Sequence, residues 1–162
     1  IKRVRNFRKM TMKELGMAVG FDENTADVRI AQYENNSRKP KDELLKKIAA
    51  ALDVNWRSLY DPVDYAAEDI MFSLFELEEQ RIGLRLLDVV DDTDPDFPEK
   101  RVGITFNYPL LDRFLTEWLQ RRRELQAGEI TSEEYTEWKL NWPRTSDDCG
   151  RVQADREWRK KE

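Results

Sequence analysis

Apolar positions in the first sixty residues recur every three to four places, the spacing of one face of a helix. Ile1, Val4 and Phe7 mark a short amphipathic helix whose outer face carries Lys2, Arg3, Arg5, Arg8 and Lys9. Thr11 followed by Glu14 is a capping box, so a second helix starts at Met12 and runs through Leu15 and Val19 to a stop at Gly20. Val28, Ile30, Ala31 and Tyr33 predict a third helix, capped by Asn24 or Thr25 and ended by the polar run at 35–40. Leu44, Leu45, Ile48, Ala49 and Leu52 form the stripe of a fourth. Asn55 caps a short fifth helix carrying Trp56, Leu59 and Tyr60, and Asp61-Pro62 closes the unit. These five helices can share one core built from Leu15, Val19, Ile30, Tyr33, Leu45, Ile48, Leu52 and Leu59.

Beyond Pro62 the pattern changes. Residues 65–79 are helical by spacing, with Ile70, Met71, Leu74, Phe75 and Leu77 apolar. Alternation then takes over around Ile82, Leu84 and Leu86, and again around Val102, Ile104 and Phe106, which predicts a hairpin joined by the acidic turn at 91–98. A long helix over 110–127 is expected to bury Leu111, Phe114, Leu115, Trp118 and Leu119 before Gly128 stops it. Thr131 with Glu134 opens a last helix through Tyr135 and Trp138 to Asn141, ahead of Pro143. The expected architecture is an all-α five-helix domain over 1–62, a small α+β domain over 63–144 (helix, β-hairpin, two helices) and a polar, frayed tail over 145–162. Trp118, Trp138 and Trp142 read as core. The chain begins at Ile1, so native residues are expected to precede it.

Composition removes several kinds of chemistry. The 162 residues hold no histidine and one cysteine, which leaves no His-based triad, histidine-ligated zinc site or disulfide framework. Apolar runs such as 48–52 and 70–77 are far short of the roughly 18 residues of a membrane span, so no membrane association is expected and the cytoplasm is the expected location. The acidic turn is not an EF-hand. With Asp92 opening the loop, Phe97 and Gly103 fall where glycine and the closing glutamate are required. Arg121, Arg122 and Arg123, flanked by Glu117 and Glu124, read as an exposed, salt-bridged face, and Cys149 has no base to activate it. With no carboxylate pair, nucleophile and base, or ligand cluster in sight, no catalytic residue, metal or cofactor is expected.

Charge divides the chain. Residues 1–62 carry 13 Lys and Arg against 9 Asp and Glu, net +4, whereas 63–162 carry 15 against 24, net -9. Only the first part suits a nucleic acid. Within it, residues 10–40, MTMKELGMAVGFDENTADVRIAQYENNSRKP, have the makings of a helix-turn-helix. Gly16 lets two helices approach, Gly20 permits the turn, and Ile30 plugs the second helix into the core. That helix would present Asp27, Val28, Ala31 and Gln32 to base edges in a major groove, with the Gln32 amide suited to adenine. Arg29 beside it reaches phosphate or pairs with Glu34 or Asp27.

These residues, together with LLKKIAAALDV at 44–54, resemble the Cro/repressor-type helix-turn-helix regulators, the XRE family, over residues 1–62. The resemblance implies binding to double-stranded DNA, usually as a homodimer on a palindromic site, and phosphate contacts from Thr11, Asn35, Arg38 and Lys39. The chain departs from the pattern at Met12, where the family commonly has Gln. It also carries about four extra residues between Gly20 and Glu34, and acidic Asp22, Glu23 and Asp27 near the DNA-facing edge. The leading expectation is a transcriptional regulator, acting as a dimeric repressor. The alternative is an antitoxin-like or adaptor protein whose acidic C-terminal domain binds a protein partner.

Overall fold

A computed structural model describes residues 1–60, 66–80, 82–91, 99–147 and 155–160. Tyr65, the Asp61-Pro62 stop, most of the acidic turn including Asp92 and Phe97, and Cys149 lie outside the described residues. The chain forms two compact units: Ile1–Asp61 with Thr136–Thr145, and Pro62–Tyr135 with Ser146–Glu162. The sequence pattern grouped 63–144 together. Residues 136–145 instead join the first unit, because Leu140, 1% exposed, belongs to its core cluster.

The first unit holds helices α1 (Lys2–Phe7), α2 (Met12–Ala18), α3 (Ala26–Glu34) and α4 (Asp42–Ala51) and a turn at Trp56–Leu59. The fifth helix is thus a single 3-10 turn of four residues, begun where Asn55 Oδ1 accepts the Arg57 amide at 3.0 Å. Every expected core residue from Leu15 to Leu59 is buried. The Thr11 capping box forms: Thr11 Oγ1 accepts the Glu14 amide at 3.1 Å, and Glu14 Oε2 accepts the Thr11 amide at 2.7 Å. The Thr11 amide, and after it the Thr11 hydroxyl, both donating to Glu14 Oε2, hold the Glu14 carboxyl below its ordinary value of 4.5. Gly20 takes φ +90, the left-handed conformation that glycine adopts without strain.

Arg5 departs from the expected basic outer face. It is 8% exposed and turns inward. Arg8 likewise works within the fold, donating to the Leu52 carbonyl at 2.8 Å and the Asp53 carbonyl at 2.9 Å beyond the end of α4. These are carbonyls that a helix terminus leaves without internal partners. Arg8 also grips Glu137 with two bonds, at 2.6 and 3.0 Å. The Asn55 amide donates to the Leu140 carbonyl at 2.9 Å, so backbone as well as side chains fastens 136–145 into this unit.

In the second unit, helix α5 (Ala67–Glu79) has no buried residue. Strands β1 (Leu84–Asp91) and β2 (Glu99–Phe106) pair antiparallel from Leu84↔Phe106 to Asp91↔Glu99. Helix α6 (Pro109–Ala127) starts with Pro109, whose missing N–H costs nothing there, and ends at Gly128 with φ +74. Helix α7 (Ser132–Asn141) opens with the expected Thr131–Glu134 capping box, and the division between the units falls within it.

The buried face of α6 is not the apolar one expected. Trp118 and Leu119 are 45% and 48% exposed, and the buried side chains are Glu117, Arg121 and Glu124. Arg121, read from sequence as surface, is fully buried. It pairs with Glu124 at 2.7 Å and with Asp147, and its guanidinium lies 5.3 Å from the Trp158 ring centroid. Burying a guanidinium is tolerable only with this much compensation. Trp158, 8% exposed, also corrects the reading of a frayed tail, since described residues at 155–160 pack within the unit. Of the tryptophans expected in the core, Trp138 is buried, whereas Trp118 donates from its exposed site to the Tyr135 hydroxyl at 2.7 Å.

Candidate nucleic-acid interface

Helices α2 and α3 form the pair on which DNA recognition would depend. Their crossing rests on Gly16, where a Cβ would come within 2.6 Å of the Ala26 carbonyl oxygen and 2.7 Å of its Cβ. No rotamer relieves a backbone clash, so Gly16→Ala is expected to cost about 1–3 kcal/mol as the helices are forced apart. Denaturant unfolding of the two proteins side by side checks this; equal midpoints would rule out the close approach.

Helix α3 is nine residues long and buries Ala26, Ile30 and Tyr33, an i, i+4, i+7 stripe. At roughly 100° per residue, Val28, Ala31 and Gln32 lie on the side opposite that stripe, while Asp27 and Arg29 flank it. Val28 is 55% exposed and Asp27 is open to solvent; Ala31 and Gln32 are half-buried. Arg29 lies against an aromatic ring: its guanidinium sits 4.9 Å from the Phe21 ring centroid, and Phe21 stacks on Tyr33 at 6.4 Å. It does not pair with Glu34, whose carboxylate is taken by Arg5 through bonds of 2.7 and 2.9 Å.

The third Arg5 bond, 2.7 Å to the Met10 carbonyl, ties the end of α3 to the chain entering α2. Sequence spacing gave no sign of this positioning role, because an arginine among basic neighbours on a short helix looks like surface.

The phosphate candidates sit on exposed turns. Thr11 stands at the start of α2, with its hydroxyl donating to Glu14 at 2.8 Å. Asn35 ends α3, and its Oδ1 accepts from the Ser37 amide at 3.0 Å and hydroxyl at 2.6 Å. Asn36 then takes φ +60, which asparagine tolerates, and leads into exposed Arg38 and Lys39.

Asp22 and Glu23 in the turn before α3, and Asp27 in its first turn, are each engaged locally. Glu23 pairs with Lys13 at 2.7 Å, and that bond draws its carboxyl below the ordinary value of 4.5. Asp22 Oδ1 accepts the Asn24 amide at 3.0 Å, and Asp27 Oδ1 accepts the Val28 amide at 2.8 Å. Residues 21–25 form a turn before α3, which starts at Ala26 without a side-chain cap. Among the described residues there is no cluster of three or more potential metal ligands, and no helix is long and apolar enough to cross a membrane.

A family model described as helix-turn-helix matches residues 1–59. Among solved structures, a chain from the crystal structure of transcriptional regulator BswR is similar at 29% identity, covering 49% of this chain and 88% of that one, with a TM-score of 0.37. No curated protein matches.

Proposed function

We propose that this chain, whose residues 1–59 are a helix-turn-helix of the matched family, is a sequence-specific DNA-binding transcriptional regulator that acts as a dimer on a palindromic operator. What carries the reading is the outward face of α3, where exposed Val28 and half-buried Ala31 and Gln32 lie opposite the buried stripe, next to the basic turn at Arg38 and Lys39. A helix presented in this way enters the major groove, where each base pair shows a distinct pattern of donors and acceptors. Gln32, with an amide that both donates and accepts, reads adenine; Asp27, Val28 and Ala31 complete the base-facing set. Thr11, Arg29, Asn35, Arg38 and Lys39 hold phosphates. Two copies reach successive major grooves, and the occupied operator blocks polymerase, which makes the protein a repressor.

Random-duplex selection with the whole chain is expected to return an inverted repeat. On that site Gln32→Ala is expected to lose about 1–3 kcal/mol of discrimination at one base position in each half-site. Lys39→Ala is expected to weaken all sequences alike and to reduce the salt slope by about one. Binding indifferent to sequence, with both variants behaving as wild type, would reject the proposal and turn attention to a protein partner of the acidic domain.

A further inference from the structure

A cleft of about 420 Å³ opens within the first unit, lined by Asn55, Arg57, Ser58, Lys139, Trp142 and Pro143. Two stretches far apart in sequence build it: the turn at Trp56–Leu59 with its cap, and the end of α7 with the residues that follow. Asn55 joins them. Its backbone amide donates to the Leu140 carbonyl at 2.9 Å, its side-chain amide donates to the Trp142 carbonyl at 3.0 Å, and its Oδ1 accepts the Arg57 amide at 3.0 Å. The Ser58 hydroxyl donates to the Asn55 carbonyl at 2.7 Å. These bonds set the walls before anything enters, as in most small-molecule sites.

The cleft offers an occupant apolar surface and positive charge. Its lining is mostly apolar, with Trp142 and Pro143 half-buried. Arg57 lies over the Trp56 ring, 4.8 Å from its centroid, and makes no ion pair among the described residues. Partial burial, and after it the charge of Arg3, lowers the Lys139 ammonium from its ordinary 10.5. Arg3 likewise makes no ion pair among the described residues. The α7 carboxylate nearest in sequence, Glu137, is held by Arg8 and by the Asn141 amide at 2.7 Å. A recess edged by one sign of charge concentrates ions of the other.

We propose that this cleft binds a small organic anion with a flat apolar body, an aromatic carboxylate or its like, held by Arg57 and Lys139 with its ring against Trp142 and Pro143. An inorganic anion would leave the apolar wall unused, and a duplex backbone would span the recess without filling it. The site stands apart from the operator reading, since none of its lining residues belongs to the DNA-facing set. Its walls come from 55–58 and 139–143, so an occupant touches both stretches and favours the form in which Leu140 completes the core.

Naphthoate titrated into the full chain, followed by nitrogen–proton correlation spectra, tests this. Shifts are expected at the Asn55 side-chain amide, the Ser58 amide and the Trp142 indole, with a Kd of about 0.1–1 mM. Neutral naphthamide is expected to bind about tenfold more weakly, and the double variant Arg57→Gln/Lys139→Gln to lose about tenfold for naphthoate but little for naphthamide, with unchanged circular dichroism. At ten times Kd, amide exchange at Leu52 and Leu140 is expected to slow about tenfold. Equal binding of acid and amide, a double variant that binds naphthoate as wild type does, or shifts confined to the exposed strands β1 and β2 would overturn the site. A random-sequence duplex that moves the same amides at lower concentration than naphthoate would assign these cations to a nucleic-acid backbone and overturn it equally.

Discussion

Arg5→Ala is expected to destabilise the first unit by about 3–5 kcal/mol, because it removes one partner of a buried ion pair and leaves the other behind. Glu34 has a side chain only 6% exposed, and in the native protein both of its oxygens receive Arg5 N–H groups. Without the guanidinium the carboxylate must stay charged without its partner, take up a proton, or pull the end of α3 outward, and each route costs free energy. The Glu34 contact raises the Arg5 guanidinium above its ordinary value, the shift expected when the charged form is the bonded one. Amide hydrogen exchange in α3, at Ile30 and Tyr33, localises the effect better than a global melt of a two-unit chain. The double variant Arg5→Met/Glu34→Met is expected to recover most of the loss, since apolar replacement of a buried pair is often neutral. A single-variant loss below about 1 kcal/mol would show that the pair does not hold α3 in place.

Leu140→Ala is expected to cost about 2–5 kcal/mol, the range for truncating a fully buried leucine. Its side chain shares a core with Val4, Leu15, Ile48 and Leu52. The loss should therefore appear as faster exchange at Ile48 and Leu52 amides, far away in sequence, and not only within α7. Leu119→Ala is the matched control: that residue is 48% exposed, and its truncation should cost under about 1 kcal/mol. Equal effects at the two leucines, or exchange confined to α7, would remove Leu140 from the core of the first unit.

The first unit was largely legible in its sequence because helical spacing is a local signal. Stripes such as Ile30 with Tyr33 and Leu45 with Ile48 and Leu52 identify core positions regardless of what lies opposite them. The capping boxes at Thr11 and Thr131 were equally plain, each being a matter of two residues three apart. Long-range partners were not legible. Nothing near Leu140 says which core it joins, and nothing near Arg5 names Glu34.

Arg121 shows a different difficulty. Glu117, Arg121 and Glu124 have the i, i+4, i+7 spacing of a buried stripe, but their charge argues for the surface, and only the partners Asp147 and Trp158 reverse that argument. The fifth helix shrank to a 3-10 turn because four residues supply too few i→i+4 bonds to fix a helix. The outward face of α3 could be read from periodicity. Assigning a base or phosphate to each of its side chains depends on a partner that spacing does not encode.

The closure of the first unit by 136–145 has a consequence for synthesis. The helix-turn-helix leaves the ribosome first, yet the leucine that completes its core and the Glu137 that clamps Arg8 are made roughly 80 residues later. At about 5–20 residues per second that is a delay on the order of 4 to 16 seconds. During it, the nascent helices hold an incomplete apolar core and an arginine without its carboxylate. Helix α3 is therefore fully supported only after the hairpin and α6 have already emerged.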